Sequence, residues 1–388
     1  MGKKNYAYIN AEMLKWARGE TPFHSISDAV LRLSKISYED IESWESGESL
    51  PSITEAKALA KLYDVPFACF YYSELPKKII RPYTDRRTRT GTFFEDMSYE
   101  LWCEIRRIMS NREMAIEVTP DIDTIYEELP AIGDGESAAS VAEKIRKYLD
   151  VQTPFRYKSN YGDTAFNYFR DRLESRGIMV AQLSGVETSE IRGLSICFDT
   201  LPIIAVNSKD WERAKVFTLF HEMAHLLRRS SSLCLINFDE HDDDEEKICD
   251  KIAAEALLPE VPFKDIANKL RDDADDWDDF CLMKIADRFA VSTVVVLRRL
   301  YELHMIDYAY YIRRYAELAA GFEKSKNNQR GNPVVDYHYR FLNKQGYLFP
   351  RILLSAYANG NISYGEMCKS LNVNTSHISS IEQVVMFR

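Results

Sequence analysis

The feature that most constrains this chain is the segment His221-Glu222-Met223-Ala224-His225, which lies in a stretch without Gly or Pro. Its flanks, Phe217-Thr218-Leu219-Phe220 and Leu226-Leu227, are mostly apolar, so the segment is predicted to be a buried helix. Residues at i and i+4 share one face of a helix, which lets His221 and His225 direct one nitrogen each at a common metal ion. The alternative is a buried helix whose two histidines are satisfied by hydrogen bonds, and a third ligand would decide between them.

A third ligand is predicted further along the chain. A catalytic zinc ion takes three protein ligands and keeps a fourth position for water. Glu246 and Asp250 are separated by one helical turn and should share one helical face. Glu246 is the predicted ligand, and Asp250 is predicted to accept a hydrogen bond from a ligating imidazole. Glu245 and His241 are alternative ligands, and the register with Asp250 favours Glu246.

Glu222 is the predicted catalytic base. It lies one step around the helix from His221, so it can reach a metal-bound water without entering the coordination sphere. Zinc would acidify this water, and Glu222 would pass its proton to the leaving amine. Arg192, His304 and Tyr308 are of the right type to stabilise an oxyanion, but the sequence places none of them near the metal. Zn²⁺ is the expected ion, with Mn²⁺ or another divalent metal as an alternative.

The hydrophobic periodicity predicts an α+β fold that is mostly helical. Residues 8–75 show helical spacing, and three short strands are predicted within 178–183, 193–198 and 202–207. We divide the chain into four segments, listed here in chain order: 1–75, a helical domain; 76–135, a basic connector and helices; 136–322, the domain with the proposed metal site and a helical extension; and 334–388, a C-terminal helical domain.

Net charge, cysteine spacing and the distribution of apolar residues indicate where this protein is found and what it binds. The formal net charge is −10, so DNA binding would need a local basic patch. The seven cysteines are scattered without CxxC spacing, which argues for reduced thiols in a cytoplasmic protein. The sequence shows neither a secretory signal nor an apolar run long enough to span a membrane. These features predict a cytoplasmic protein without membrane contact.

Longer segments around these residues resemble a known family. The helix 217–227, the preceding strand 202–208 and Ile191-Arg192-Gly193-Leu194-Ser195 are similar to the core of the ImmA/IrrE metallopeptidases. The run from Glu246 through Cys249-Asp250 to Ala253-Ala254-Glu255 and Pro259 resembles that family's second metal-site motif, with Asp250 where Asn is usual and Ala224 where Gly is usual. The resemblance implies a zincin-like peptidase domain with a small three-stranded sheet, and it supports Glu246 as the ligand.

The N-terminal region resembles an XRE-type helix-turn-helix domain, a five-helix bundle, through residues 37–47. The combined resemblance implies an endopeptidase that cleaves a helix-turn-helix repressor or related partner protein. Such enzymes control mobile-element, stress or toxin–antitoxin-like loci. The competing hypothesis is a non-catalytic XRE-type transcriptional regulator or antitoxin whose zinc domain is a sensor or scaffold. Glu222 favours the enzyme, because a structural zinc site has four ligands and no use for this residue.

Charge argues against DNA binding by this N-terminal domain. Residues 1–75 hold eight Lys or Arg against eleven Asp or Glu, a formal charge of −3, and the predicted recognition helix is itself acidic. A protein partner, including a second copy in a homodimer, is therefore the favoured alternative. The candidate contact residues for DNA or a partner are Tyr38, Ser43, Arg86, Arg87 and Arg89.

Overall fold

The computed structural model describes residues 5–75, 97–122, 126–133, 135–152, 164–229, 232–235, 243–271, 277–328 and 336–386. The chain forms two compact units, Met1–Arg106 and Arg107–Arg388, called here the N-terminal unit and the C-terminal unit. Within the described ranges, no helix is long and apolar enough to cross a membrane. The boundaries of the four segments drawn from the sequence stay predictions.

The N-terminal unit is built from short helices. They are α1 (Ala11–Gly19), α2 (Ile26–Val30), α3 (Tyr38–Glu45), α4 (Ile53–Leu62) and a 3₁₀ helix, Phe67–Tyr71. Helices α2, α3 and α4 each begin at a serine that forms a reciprocal capping box with an acidic residue three positions on. Five helical segments therefore occupy this part of the described chain, as expected, while their XRE identity stays a prediction.

A small apolar core holds these helices together. Leu14, Ile41, Leu59 and Phe70 are fully buried and pack in one cluster with Trp44. These residues come from α1, α3, α4 and the 3₁₀ helix, so packing between helices adds to the local propensity of each of the four.

The C-terminal unit contains one sheet with strand order β1-β3-β2-β4. Its strands are β1 (Met179–Leu183), β2 (Ile191–Ile196), β3 (Ile203–Asn207) and β4 (Ser232–Leu235). Strand β3 pairs parallel to β1 and antiparallel to β2, and β4 pairs antiparallel to β2. The three predicted strands are present, and β4 extends the sheet. Strand β4 was not predicted, because it is short and begins at the end of a serine run, which gives no alternating pattern.

Most of the described elements of the C-terminal unit are helices. Helix α5 (Tyr99–Val118) contributes residues to both units. The described helices that follow it in the C-terminal unit are α6 (Ala138–Tyr148), α7 (Ala165–Ser175), α8 (Glu212–Leu227), α9 (Asp243–Leu257), α10 (Glu260–Arg271), α11 (Asp279–Phe289), α12 (Thr293–Glu302), α13 (Tyr308–Asn328), α14 (Tyr337–Gln345), α15 (Leu348–Ala358), α16 (Tyr364–Leu371), a 3₁₀ helix, Thr375–His377, and α17 (Ile378–Met386). A mostly helical α+β fold is therefore confirmed.

Helix α8 lies at the centre of the core. It packs against β2 and β3 on one side and against α7 and α9 on others. Its apolar residues Leu219, Phe220 and Met223 are at most 1% exposed. A helix enclosed on several sides carries its polar residues into the core, where each one needs a partner.

The C-terminal helices pack within the same unit as the sheet. Helix α14 packs beside β1. The carboxylate of Glu174, at the end of α7, accepts the backbone N–H of Tyr347 at 2.9 and 3.1 Å, just before α15 begins. Glu174 is fully buried, and desolvation raises its pKa to about 7, against the opposing effect of Arg170.

Candidate metal centre

Helix α8 brings two histidines into the core. His221 and His225 lie one turn apart on the same face, and they are 8% and 0% exposed. Their Nε2 atoms are 3.1 Å apart. Two imidazoles held this close in a buried position need a shared partner for their nitrogens.

The carboxylate of Glu246, from the first half of α9, completes a group of three donors. One of its oxygens lies 3.1 Å from His221 Nε2, and the other lies 3.4 Å from His225 Nε2. Ligands at 2.0–2.1 Å from a tetrahedral zinc ion are separated by about 3.3 Å. The two Nε2 atoms and the Glu246 carboxylate, which turns one oxygen to each imidazole, therefore lie at separations close to those between ligands of one zinc ion, and the residues fit a zinc ion. His221, His225 and Glu246 are the metal ligands predicted from the sequence, and the structure brings them together.

Asp250 lies behind His221. Its Oδ1 is 3.0 Å from His221 Nδ1, and because a carboxylate only accepts, Nδ1 donates this hydrogen bond. Protonation at Nδ1 leaves the lone pair of a neutral imidazole on Nε2, the atom that faces Glu246 and His225. Asp250 occupies the position expected of a residue that orients a metal ligand.

His225 has a different neighbour on its far side. The Sγ atom of Cys249 lies 3.5 Å from His225 Nδ1. Cys249 is fully buried, and this burial raises its pKa, so the thiol stays protonated at neutral pH. A protonated thiol is a poor metal ligand, although Cys249, Glu245 and His225 form a second group of closely spaced donors.

The rival ligands for the third position differ from Glu246 in their contacts. Both carboxylate oxygens of Glu245 accept hydrogen bonds from Arg228, each at 2.6 Å. This bidentate ion pair directs Glu245 to Arg228. His241 lies outside the described residues.

The electrostatics of α9 favour charged carboxylates at the centre. Burial opposes ionisation of Glu246, but its contacts with His221 and His225, as the protonated imidazoles of a metal-free centre, outweigh burial and hold the pKa of Glu246 below its usual range. Burial likewise opposes ionisation of Asp250, whose pKa is lowered by its hydrogen bond to His221 and by Arg298. Both side chains are therefore carboxylates at neutral pH, as a cation site requires.

Glu222, the predicted base, is fully buried and faces strand β2. A Cβ atom placed on Gly193 would lie 3.0 Å from Glu222 Oε1 and 2.3 Å from Thr218 Cγ2. Only glycine therefore lets β2 approach α8 this closely. Gly193 belongs to a segment that resembles the ImmA/IrrE family, but its steric role was not predicted.

Arg298 was not predicted to belong to the site. Its Nη1 donates to Asp250 Oδ2 at 2.9 Å, and its Nε donates to Glu302 Oε1 at 3.0 Å. No sequence signal links Arg298 to Asp250, because the two residues are far apart along the chain and meet only through packing.

The three candidates for oxyanion stabilisation occupy separate positions. Arg192 is the exposed residue of the otherwise buried strand β2, at an irregularity in its pairing with β4. His304 lies in the turn after α12 with a φ of 57°. Tyr308 begins α13 and is 61% exposed. We assign the oxyanion role to none of them.

The candidate partner contacts of the N-terminal unit lie partly on α3. Tyr38 is 40% exposed. Ser43 is partly exposed, and its hydroxyl lies 2.7 Å from that of Ser49. Arg86, Arg87 and Arg89 lie outside the described residues. A role for any of these residues in binding DNA or protein stays a prediction.

Comparison with known proteins supports a peptidase-type domain. Residues 173–301 match the family model Peptidase_M78, described as the IrrE N-terminal-like domain. This range contains the three donors together with Glu222, Asp250 and Arg298, and it supports the resemblance to the ImmA/IrrE family. It does not extend to the N-terminal unit. Neither a curated protein nor a solved structure matches the chain.

Proposed function

We propose that this protein is a zinc-dependent endopeptidase in which His221, His225 and Glu246 hold the metal ion. The observation that carries the proposal is the closeness of their donor groups: the two Nε2 atoms are 3.1 Å apart, and each lies 3.1–3.4 Å from an oxygen of the Glu246 carboxylate, which suits one tetrahedral ion. The match to a peptidase family over residues 173–301 supports the same assignment. Zn²⁺ suits a site of two imidazoles and one carboxylate, and Mn²⁺ remains an alternative occupant.

A zinc ion in this site would supply acidified water and a polarised scissile carbonyl. We assign Glu222 the transfer of a proton: one carboxylate oxygen takes it from the attacking water and returns it to the leaving amine. Asp250 holds the proton on His221 Nδ1, which keeps the Nε2 lone pair directed at the other donors. Gly193 leaves the space that the Glu222 carboxylate occupies beside β2.

The proposed substrate is a protein, and we favour a helix-turn-helix repressor or a related partner at a mobile-element, stress or toxin–antitoxin-like locus. This choice rests on the resemblance to ImmA/IrrE enzymes. The six cysteines whose side chains are described are all free thiols, which supports a cytoplasmic setting for such a reaction.

The N-terminal unit is proposed to hold a protein partner. Residues 1–75 carry a formal charge of −3, and the exposed side of α3 includes Glu39, Asp40 and Glu42. Such a surface repels phosphates. A gel shift with the full chain and the promoter DNA of its own gene, at low and high salt, tests this point. Salt-sensitive binding would contradict the proposal and favour the transcriptional regulator.

The peptidase proposal is tested with Glu222→Gln, which removes the base and keeps the size of the side chain. Zinc-loaded wild type and variant are added to a lysate of the source cells, and new protein N-termini are labelled and sequenced. We expect new termini with wild type and none with Glu222→Gln, although both proteins bind one zinc ion. Glu212→Gln, in the first turn of the same helix, should cleave like wild type.

Two outcomes would contradict the proposal in different ways. Equal cleavage by wild type and Glu222→Gln would mean that the base has been misassigned or that the activity belongs elsewhere. No cleavage by wild type, with one tightly bound zinc ion, would favour the non-catalytic regulator or antitoxin.

A further inference from the structure

Helix α12 places Arg298 between two carboxylates. One belongs to Asp250 on α9, with an Nη1–Oδ2 distance of 2.9 Å. The other belongs to Glu302, four residues along the same helix, with an Nε–Oε1 distance of 3.0 Å. Arg298 is therefore fixed at both edges of its guanidinium plane.

Asp250 in turn joins two different donors. Its Oδ1 accepts from His221 Nδ1 at 3.0 Å, and its Oδ2 accepts from Arg298. These contacts form a continuous chain from Glu302 through Arg298 and Asp250 to the first histidine of the metal centre. Each contact in the chain involves a charged group, so each is stronger and more directional than a neutral hydrogen bond.

We propose that Arg298 is a positioning residue for the metal ion: it fixes the Asp250 carboxylate so that His221 presents Nε2 to the metal. The inference rests on the proposed metal centre and concerns a residue that lies outside both the segment His221–His225 and the pair Glu246 and Asp250. It assigns to α12 a part in metal binding as well as in packing.

The physical argument concerns the torsion of the Asp250 side chain. A carboxylate with one partner can rotate, and the terminal torsion of Asp is broad. A second donor at Oδ2 removes this freedom and keeps Oδ1 in line with His221 Nδ1. The positive charge of Arg298 also partly neutralises the Asp250 carboxylate. By itself, this makes the His221 imidazole a slightly weaker ligand for the metal ion. Orientation is expected to dominate, because the removal of partners that orient a metal ligand typically costs affinity.

Arg314 offers a matched control within the same unit. It also pairs with an acid on another helix, Asp279, and with an acid on its own helix, Glu317. It has no described contact with the metal centre. Arg298→Met and Arg314→Met therefore remove the same kind of bridge, and only the first removes a contact to Asp250.

The test is a competition titration of the metal-free full chain with Zn²⁺ against a chromogenic chelator. Arg298→Met should weaken zinc binding roughly 10-fold, the scale found for residues that orient metal ligands. Arg298→Lys should recover part of the loss, because an ammonium group can donate to Asp250 but not bridge it to Glu302 in a fixed plane. Arg314→Met should bind zinc like wild type. If Arg298→Met does not fold, Arg298→Gln is judged by the same criterion.

The visible spectrum of the Co²⁺-substituted protein provides a second readout, which is independent of zinc affinity. Its bands report the ligand geometry, so they should shift in Arg298→Met and stay unchanged in Arg314→Met. Zinc affinity within twofold of wild type in Arg298→Met, or an equal loss in Arg314→Met, would overturn the inference. Wild type without zinc affinity would overturn both this inference and the proposed function.

A double-mutant cycle tests the path through Asp250. In Asp250→Asn, one polar atom of the amide is a donor, so the side chain cannot accept from His221 and Arg298 at once. The loss of zinc affinity caused by Asp250→Asn should therefore be several-fold smaller in the Arg298→Met background than in wild type. Additive losses would show that Arg298 acts by another route and would overturn the inference.

Discussion

The two units of the chain use their acidic residues in opposite ways. In the C-terminal unit, the carboxylates of Glu246 and Asp250 converge on histidines in the core. In the N-terminal unit, acids such as Asp40 lie on the surface, where they cap helices. The side chains of α3 thus stabilise a local fold and leave a charged face, whereas those of α9 form a centre with the spacing of a metal site.

The comparison teaches that burial, more than residue type, distinguishes a site from a surface. An acid in the first turn of a helix is common and stabilises the helix by roughly 0.3–1 kcal/mol. A carboxylate held between two buried imidazoles has no such local explanation, because desolvation opposes it. Variants in each unit can therefore test whether the distinction holds.

The largest effect is expected from Glu246→Ala, which removes a proposed ligand. Zinc affinity should fall more than roughly 100-fold, beyond the range for residues that only orient ligands. Its neighbour Glu245 provides the control, because its carboxylate is bound by Arg228. Glu245→Gln should keep zinc affinity near wild type in the same competition titration. A larger loss in Glu245→Gln than in Glu246→Ala would reverse the ligand assignment.

The next effect concerns pH and the buried Glu174. Its pKa in the folded protein is about 7, above the ordinary value of 4.5, so folding favours the protonated form. The contribution of Glu174 to the free energy of unfolding is most favourable at low pH. It falls as the pH rises from about 4.5 to 7, and it is constant above pH 7.

Glu174→Gln should remove this dependence, because the Gln oxygen can still accept the Tyr347 N–H without charge. Relative to wild type, it should gain roughly 2 kcal/mol in free energy of unfolding between about pH 5 and pH 8. Urea denaturation at both pH values measures this, with the exposed Glu143→Gln as the control. An unchanged difference between variant and wild type at the two pH values would contradict the prediction.

A smaller effect is expected at the contact between β2 and α8. Gly193→Ala places a Cβ atom 2.3 Å from Thr218 Cγ2. The overpacking should destabilise the protein by about 1–3 kcal/mol and displace Glu222. Gly19→Ala, at the end of α1, meets no atom within 4 Å and should be neutral or slightly stabilising. Thermal denaturation of both variants compares them, and a Gly193→Ala variant as stable as wild type would show that the strand can shift.

The smallest effect is expected at the start of α3. Ser37 caps this helix and forms a reciprocal pair of hydrogen bonds with Asp40. Ser37→Ala should lower the free energy of unfolding by about 1 kcal/mol and leave zinc affinity unchanged. A change in zinc affinity would show that the two units are coupled. It would contradict the view that the acids of α3 only stabilise a local fold.

The sequence predicted the parts of the site that depend on helical spacing. His221 and His225 share a face because they are one turn apart, and the same holds for Glu246 and Asp250. The three longer strands were also recognisable, because each is an apolar run between turn residues. The hydrophobic periodicity of the sequence therefore predicts most of these helices and strands.

Long-range contacts could not be derived in this way. Arg298 meets Asp250, and Gly193 meets Glu222, only after several elements have packed. The contact between Glu174 and Tyr347 joins residues 173 positions apart. Such pairs leave no mark on hydrophobic periodicity, since neither partner is distinguished from ordinary surface or turn residues until the fold exists.

X-ray absorption at the zinc edge of the loaded full-length protein tests the central claim most directly. The account predicts one zinc ion with two imidazole nitrogens and a carboxylate oxygen at about 2.0–2.1 Å, and no sulfur ligand. A zinc–sulfur distance of about 2.3 Å would contradict it, because the metal would then lie with Cys249 in the second donor group. Absence of bound zinc after loading would contradict the metal centre itself.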